Sequence, residues 1–372
     1  MTHNSFRQRY EYLILGQGLA GSLMAWRLRH AGAKVLVVDG GKQNASRVAA
    51  GLISPVTGRR WVKTQHFELL LDVARTTYRL LETELGVTLW YEHPLLRLYR
   101  DESERALAGR RTRDPAYRDL LGPELEAGTA GYGLADDLGG RMILQTAHLA
   151  TTSLLDHLQI WLKRKDAFCQ QEIDYEEIAI NDSGIHWQGL KFDFAIFCEG
   201  WRVIHNPWFS DLPWQPSAGE ILTLACQKFL LPYPINRGIW LLPGENGMMR
   251  LGATYRWHPL SEEPSAEGVK SLIAAFQRMF HQPPRHRCIA VATGIRPNTL
   301  DHSPILGPHP QYSRLILCNG FGSKGSLYAP WCCLRLTEHL LHGQPLPRHI
   351  DIGRYFDGTP KGKMADRPLG TS

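Results

Sequence analysis

The chain has 372 residues, 43% of them apolar and 21% charged, with a formal charge of +6 at pH 7. That length suits two domains sharing an interface, and no apolar run approaches the roughly 18 residues of a membrane helix, so a membrane span is not expected. Basic residues are spread out apart from Arg110, Arg111 and Arg113 and the segment 59–63, too sparse a stripe to require nucleic acid as a partner.

Residues 1–10 are polar, and the apolar stretch after them stops at Gly16 without the cleavage pattern of a signal peptide, which points to a cytoplasmic protein. Residues 12–15 read as a strand, 19–31 as a helix and 35–38 as a second strand, together a βαβ unit. Over 67–86 the residues Leu70, Val73, Ala74, Tyr78, Leu81 and Leu85 recur at helical spacing and predict a long amphipathic helix. The stretch 91–141 is charged and loop-rich, with a short strand at 95–99, and suits an excursion into another domain. A helix over 148–163 and a buried strand over 192–198, ending at Glu199 and Gly200, bring the chain back. Strands at 221–225, 238–242 and 248–254 with a helix over 266–280 predict a small antiparallel sheet. A strand at 315–319, a glycine-rich turn at 320–325 and a helix over 329–341 close the fold, and the polar tail 357–372 is expected to be disordered. The seven cysteines are odd in number and show no CxxC spacing, so they read as reduced, mostly buried thiols. His281, His286 and Cys288 are interrupted by Pro283 and Pro284 and joined by no carboxylate, so no metal site is expected.

The chemistry begins at Gly16, Gly18 and Gly21, which form G-Q-G-L-A-G between a predicted strand and helix. The first glycine allows a tight turn, the second lets backbone approach a pyrophosphate, and the third lets the helix pack on the strand. Gln17, Leu19 and Ala20 offer backbone amides at the positive end of the helix dipole. Asp39 closes the second strand, 18 residues past Gly21, where an acid accepts from ribose hydroxyls and disfavours a 2'-phosphate. This motif alone does not separate NAD from FAD. Further on, A-S-R-V-A-A-G-L-I-S-P at 45–55 combines small residues with a glycine, which lets backbone approach a flat ligand. The strand ending at Gly200 and the turns within 293–307 and 319–325 add glycines near the sheet's C-terminal ends.

These segments resemble the D-amino-acid oxidase superfamily of flavoproteins, in its glycine oxidase and sarcosine oxidase branch. The resemblance spans nearly the whole chain and is carried by G-Q-G-L-A-G with Asp39, A-S-R-V-A-A-G-L at 45–52, F-A-I-F-C-E-G-W at 194–201, M-R-L-G-A-T-Y at 249–255, T-G-I-R-P-N-T-L-D-H-S-P-I-L-G at 293–307 and N-G-F-G-S-K-G at 319–325. It implies an α/β, Rossmann-like FAD-binding domain from 8–88, 140–215 and 290–350. The implied substrate domain, 89–139 and 216–289, is α+β and built on an antiparallel sheet. It implies FAD contacts from Gly16, Gln17, Gly18, Leu19, Ala20, Asp39 and Gly40, then from Ser46, Arg47, Ala49, Ala50, Gly51 and Leu52. Ile173, Gly200, Trp201, Gly294, Arg296, Gly320, Gly322, Ser323, Lys324, Gly325 and Ser326 complete the implied cofactor set. Thr293 stands where a covalent pattern would need a cysteine nearby, so non-covalent FAD is expected.

By the same resemblance Arg296 binds a substrate carboxylate or lies at the flavin edge, a role that suits a guanidinium's two parallel hydrogen bonds; the alternative is a salt bridge between domains. Arg59 and Arg60 sit where sarcosine-type relatives bind substrate, or form a surface pair. Tyr255 takes a position facing the substrate cavity. Trp240 replaces a carboxylate-binding tyrosine with a group that only donates, which departs from a plain glycine site. Lys324 either stabilises the reduced flavin and helps it react with oxygen, or is solvated.

The implied activity is oxidation of the C–N bond of a small amine or amino acid by hydride transfer to flavin N5, giving an imine that hydrolyses, with oxygen or another acceptor taking the electrons. Three other readings stay open: trimming of a carboxymethylaminomethyl group on the wobble uridine of tRNA, a non-catalytic flavin-binding protein, and an NAD-dependent dehydrogenase.

Overall fold

A computed structural model describes residues 9–42, 44–226 and 229–356; the expected tail at 357–372 lies outside the described residues. Arg9–Leu15 and Val35–Asp39 are apolar on both faces because both faces are covered, as in a parallel sheet packed between layers. Tyr12 and Ile14 enter one core, Leu13 and Leu15 the other. Phe168–Gln170, Val35–Asp39, Arg9–Leu15 and Leu190–Phe197 run parallel in that order, and Leu315–Asn319 pairs parallel with the C-terminal part of Leu190–Phe197. The register is level: Leu15 lies opposite both Val38 and Phe197, and Phe197 opposite Leu317. All five strands therefore end along one rim. Three antiparallel strands, Ala179–Asn181, Gly184–Trp187 and Ile305–Pro308, complete this eight-stranded sheet.

Helix Leu19–His30 follows the first strand and is buried on nearly every side, packed between the sheet and Gly325–His342. Phe67–Leu85 buries Phe67, Leu70, Leu71, Ala74, Tyr78 and Leu81 at three- and four-residue spacing and stops at Gly86, whose φ is 67°. The closing helix starts at Gly325, four residues before the expected start, and holds Pro330 inside it. Proline has no N–H to give the Ser326 carbonyl one turn back; that oxygen instead accepts from the Tyr78 hydroxyl at 2.8 Å. The helix expected from residue 148 begins at Thr151, because Ala147–Leu149 pairs as a strand with Leu52–Ile53 and Trp90–Glu92.

The second sheet also has eight strands, ordered His286–Arg296, Ser217–Cys226, Met248–Gly252, Trp240–Pro243, Ile235–Asn236, Leu95–Leu98, Gly140–Ile143 and Leu121–Leu125. It is antiparallel except where Ile235–Asn236 meets Leu95–Leu98. It reaches beyond 89–139 and 216–289 to take in Gly140–Ile143 and all of His286–Arg296. Leu222, Leu224 and Leu251 pack beneath helix Ala266–Arg278 with Leu272 and Phe276. Alternation along Ser217–Cys226 turns Gly219 and Ile221 the other way, toward the rim of the first sheet. Among the described residues no helix is long and apolar enough to cross a membrane.

Candidate functional site

A cavity of about 430 Å³ lies between the C-terminal rim of the first sheet and one face of the second. Gly16, Gly18, Leu19 and Ala20 form its floor. Gly16 has φ +101°, and a Cβ there would stand 2.6 Å from the Cys198 carbonyl; one on Gly21 would stand 1.9 Å from the Gly16 carbonyl. A side chain at Gly16 would clash with the end of the neighbouring strand, and one at Gly21 would push the helix off the first strand. The helix begins at Gly18, which has no side chain to cap it, with no acid in its first turn, so that although Ser46 takes the first N–H the positive end of its dipole faces the cavity. An anionic diphosphate fits that end.

Asp39 ties the turn together, one carboxylate oxygen accepting from Gln17 N at 2.6 Å and the other from Gly41 N at 2.7 Å. Ser46 Oγ accepts from Leu19 N at 3.1 Å, and Asn44 caps the short helix Ala45–Val48. Along the rim, Gly40, Lys42, Ile173, Tyr175, Gly200 and Trp201 line the cavity. Glu199 joins them, its carboxyl accepting from the Tyr175 hydroxyl at 2.6 Å and Asn206 Nδ2 at 2.8 Å. Burial pushes this carboxyl up to about 7, against the pull of those two hydrogen bonds.

Ala49, Ala50, Gly51 and Leu52 cross from one sheet to the other and meet Gly294 and Arg296. At Gly51 φ is +70°, and a Cβ would lie 2.0 Å from the Leu149 carbonyl. Gly322, Ser323, Gly325 and Ser326 close the cavity from the turn before the last helix. Trp240 lines the second-sheet wall with its indole over Gly252, whose missing Cβ would fall 2.6 Å from the ring.

Arg296 is the charged group of that wall. Its guanidinium donates to the Ala218 carbonyl at 3.3 Å and the Thr254 carbonyl at 3.1 Å and lies 4.7 Å above the Tyr255 ring. Among the described residues no carboxylate stands within 4.0 Å of it, so it closes no salt bridge between the two sheets. Burial pulls its pKa down, but an arginine stays charged. The result is a half-buried cation on a cavity wall with no direct salt-bridge partner among the described residues, the Glu220 carboxylate acting on it only from behind Thr254.

Several expected positions stand outside the lining. Tyr255 is 52% exposed, with its hydroxyl accepting from Asn298 Nδ2 at 3.0 Å, and touches the cavity only through Arg296. Gln17 turns its side chain inward to the Leu155 carbonyl, Arg47 pairs with Asp156, and Gly320 lies behind the wall against Thr299 and Pro304. Lys324 is half-buried beside the lining, donates to Thr64 Oγ1 at 3.0 Å and has its pKa lowered by burial. Arg59 and Arg60 are exposed, and Arg59 faces Asp101. Conversely, nothing in the local pattern marks Lys42, Tyr175 or Gly219 as lining residues, and Glu199 is visible there only as the end of a strand. Arg250 went unnoticed too: from the second sheet it donates to the carbonyls of Val48 and Ala49 and pins the crossing segment. Asn44 alone carried a readable signal, a capping residue before a short helix.

The chain matches the family described as FAD dependent oxidoreductase (DAO) over residues 11–339. A glycine oxidase of Pseudomonas putida is 24% identical, covering 95% of this chain and 99% of that protein. The tRNA 5-methylaminomethyl-2-thiouridine biosynthesis bifunctional protein of Caulobacter sp. is 24% identical over 94% of this chain and 58% of its own length. The crystal structure of glycine oxidase from Geobacillus kaustophilus shares the fold with a TM-score of 0.78 at 21% identity, covering 91% of this chain and 96% of that one.

Proposed function

We propose that this chain, which belongs to the FAD dependent oxidoreductase family, oxidises the C–N bond of a small amino acid whose carboxylate is held by Arg296. FAD is the cofactor of this family and, when bound, supplies a two-electron acceptor. The residues that would hold it, without a covalent link, are the Gly16–Ala20 turn for the diphosphate, Asp39 for ribose, and the 46–52 and 322–326 segments for the remainder.

The observation that carries the substrate reading is a half-buried guanidinium on the cavity wall with no carboxylate in direct contact among the described residues. Partly burying a charge without a direct partner is costly, and an incoming carboxylate that pairs with it through two parallel bonds offsets that cost. Relatives that match along 99% of their own length are named glycine oxidases, and glycine carries such a carboxylate. Among the described residues, the second-sheet side of the cavity that carries Arg296 presents Gly219, Ile221, Trp240, Ala253, Gly294 and Pro297 and no carboxyl or imidazole, Glu172, Glu199 and His205 belonging to the opposite side. The substrate ammonium therefore loses its proton to water before the reaction, and the wall serves to orient the amine and exclude solvent. Tyr255 holds the guanidinium plane by stacking, and we assign Lys324 a supporting positive charge.

The test is anaerobic addition of glycine, N-methylglycine, D-amino acids and proline to the purified yellow protein, followed by absorbance. Bleaching by one of them, with Arg296→Ala needing far more substrate, supports the assignment; a flavin that none of them bleaches opposes it. The Caulobacter relative motivates a second substrate, since a carboxymethylamino group on tRNA presents the same carboxylate and amine. Bleaching by such an RNA alone, with salt-sensitive binding, would select it.

A further inference from the structure

Arg296 reaches the cavity from the edge strand of the second sheet, and its place there is set by groups that never touch the cavity. Its two terminal nitrogens donate to the carbonyls of Ala218 and Thr254, and Gly219 lies between them. A Cβ on Gly219 would stand 2.4 and 2.6 Å from those nitrogens and 2.5 Å from the Thr254 carbonyl, so the guanidinium lies directly on bare backbone. Both carbonyls are fixed in turn. Ala218 exchanges two backbone bonds with Arg256, at 2.8 and 2.9 Å. Thr254 is gripped by Glu220: the Glu220 N–H donates to Thr254 Oγ1 at 2.7 Å, the Thr254 hydroxyl donates to the Glu220 carboxylate, and the Thr254 N–H donates to the Glu220 carbonyl at 3.3 Å.

Glu220 is buried at 1% exposure, yet it carries the donors a buried carboxylate needs. Ser265 gives it an N–H at 3.2 Å and a hydroxyl at 2.9 Å, and Arg256 stands 3.4 Å away. Ser265 also caps helix Ala266–Arg278. One carboxylate thus locks the helix start, the loop carrying Thr254 and Tyr255, and through them the guanidinium.

We propose that Glu220 is the positioning residue for carboxylate recognition, acting through the Thr254 hydroxyl to hold the Thr254 carbonyl where it orients Arg296. The inference rests on Arg296 being the carboxylate site. Without the clamp, the guanidinium keeps its charge but loses the fixed plane that a two-point carboxylate contact requires. Selectivity for a carboxylate over a neutral group of the same shape should therefore fall.

The experiment titrates FAD-loaded protein with acetate and with acetamide and follows the shift in flavin absorbance. Thr254→Val removes the hydroxyl at nearly constant volume and should weaken acetate about tenfold while acetamide changes less than twofold. Thr254→Ser should restore acetate binding. Glu220→Gln should act in the same direction, and the Thr254 pair keeps the test open if that buried substitution impairs folding. Equal weakening of both ligands would make the clamp merely structural and overturn the inference. Unchanged acetate binding in Thr254→Val, with loss in Arg296→Gln, overturns the inference and leaves the carboxylate site standing. Unchanged binding in Arg296→Gln as well removes both.

Discussion

The two walls of the cavity are built on opposite principles. On the first-sheet side the floor is mostly backbone, from the glycine turn and helix start at 16–21 and the small residues at 49–51, each a short local stretch, with side chains such as Lys42, Tyr175 and Glu199 along the rim. On the second-sheet side the contacts are side chains gathered from distant strands, with Trp240 over Gly252 and Arg296 over Gly219. A backbone cradle recognises what every member of a cofactor class shares, whereas a side-chain wall can be altered one residue at a time. On the proposed reading the first wall holds the cofactor and the second selects the substrate.

That division predicts graded consequences. Gly51→Ala should be the most severe, since it combines a left-handed φ of +70° with a Cβ 2.0 Å from a carbonyl; a loss on the order of 4 kcal/mol is expected, read as a lowered urea midpoint and loss of yellow colour. Arg296→Ala strikes the other wall and should raise the substrate KM by the equivalent of about 1.5–3 kcal/mol while FAD affinity holds. A variant that loses FAD as well would blur the two walls into one. Asp39→Asn weakens one of two bonds bracing the glycine turn and should cost about 1 kcal/mol, or about fivefold in FAD affinity, with KM unchanged.

A further consequence concerns pH. Folding raises the Glu199 carboxyl from 4.5 to about 7 through burial, so between those values the folded chain holds more protons than the unfolded one. Its stabilising share is complete below about pH 4.5 and is lost as pH rises through about 7. The slope is at most about 1.4 kcal/mol per pH unit, and Glu199→Gln should flatten it in urea midpoints measured at pH 5 and pH 8.

The same contrast explains what the sequence could reveal. The βαβ unit was legible because strand, glycines, helix and Asp39 fall within one short stretch, and Phe67–Leu85 because its buried residues keep helical spacing. Phe168–Gln170, Ala179–Asn181 and Gly184–Trp187 went unread, being three or four residues long with no apolar alternation to count. The strand His286–Arg296 is not legible in the sequence, because as an edge strand it leaves Arg287 to Ala290 exposed and shows no buried face there. Tyr175 and Glu199 meet only after distant strands pair, and Gly219 meets Arg296 only through the register of Ser217–Cys226 against His286–Arg296. Local motifs announce a backbone cradle; a side-chain wall becomes visible once strand register is known.

The most direct measurement compares an amino acid that bleaches the flavin with its decarboxylated amine, in the wild type and in Arg296→Ala. If a half-buried guanidinium selects the substrate, the amino acid reduces the wild-type flavin far faster than the amine, and Arg296→Ala erases the difference. An amine that reduces the wild type as fast as the amino acid would contradict the account.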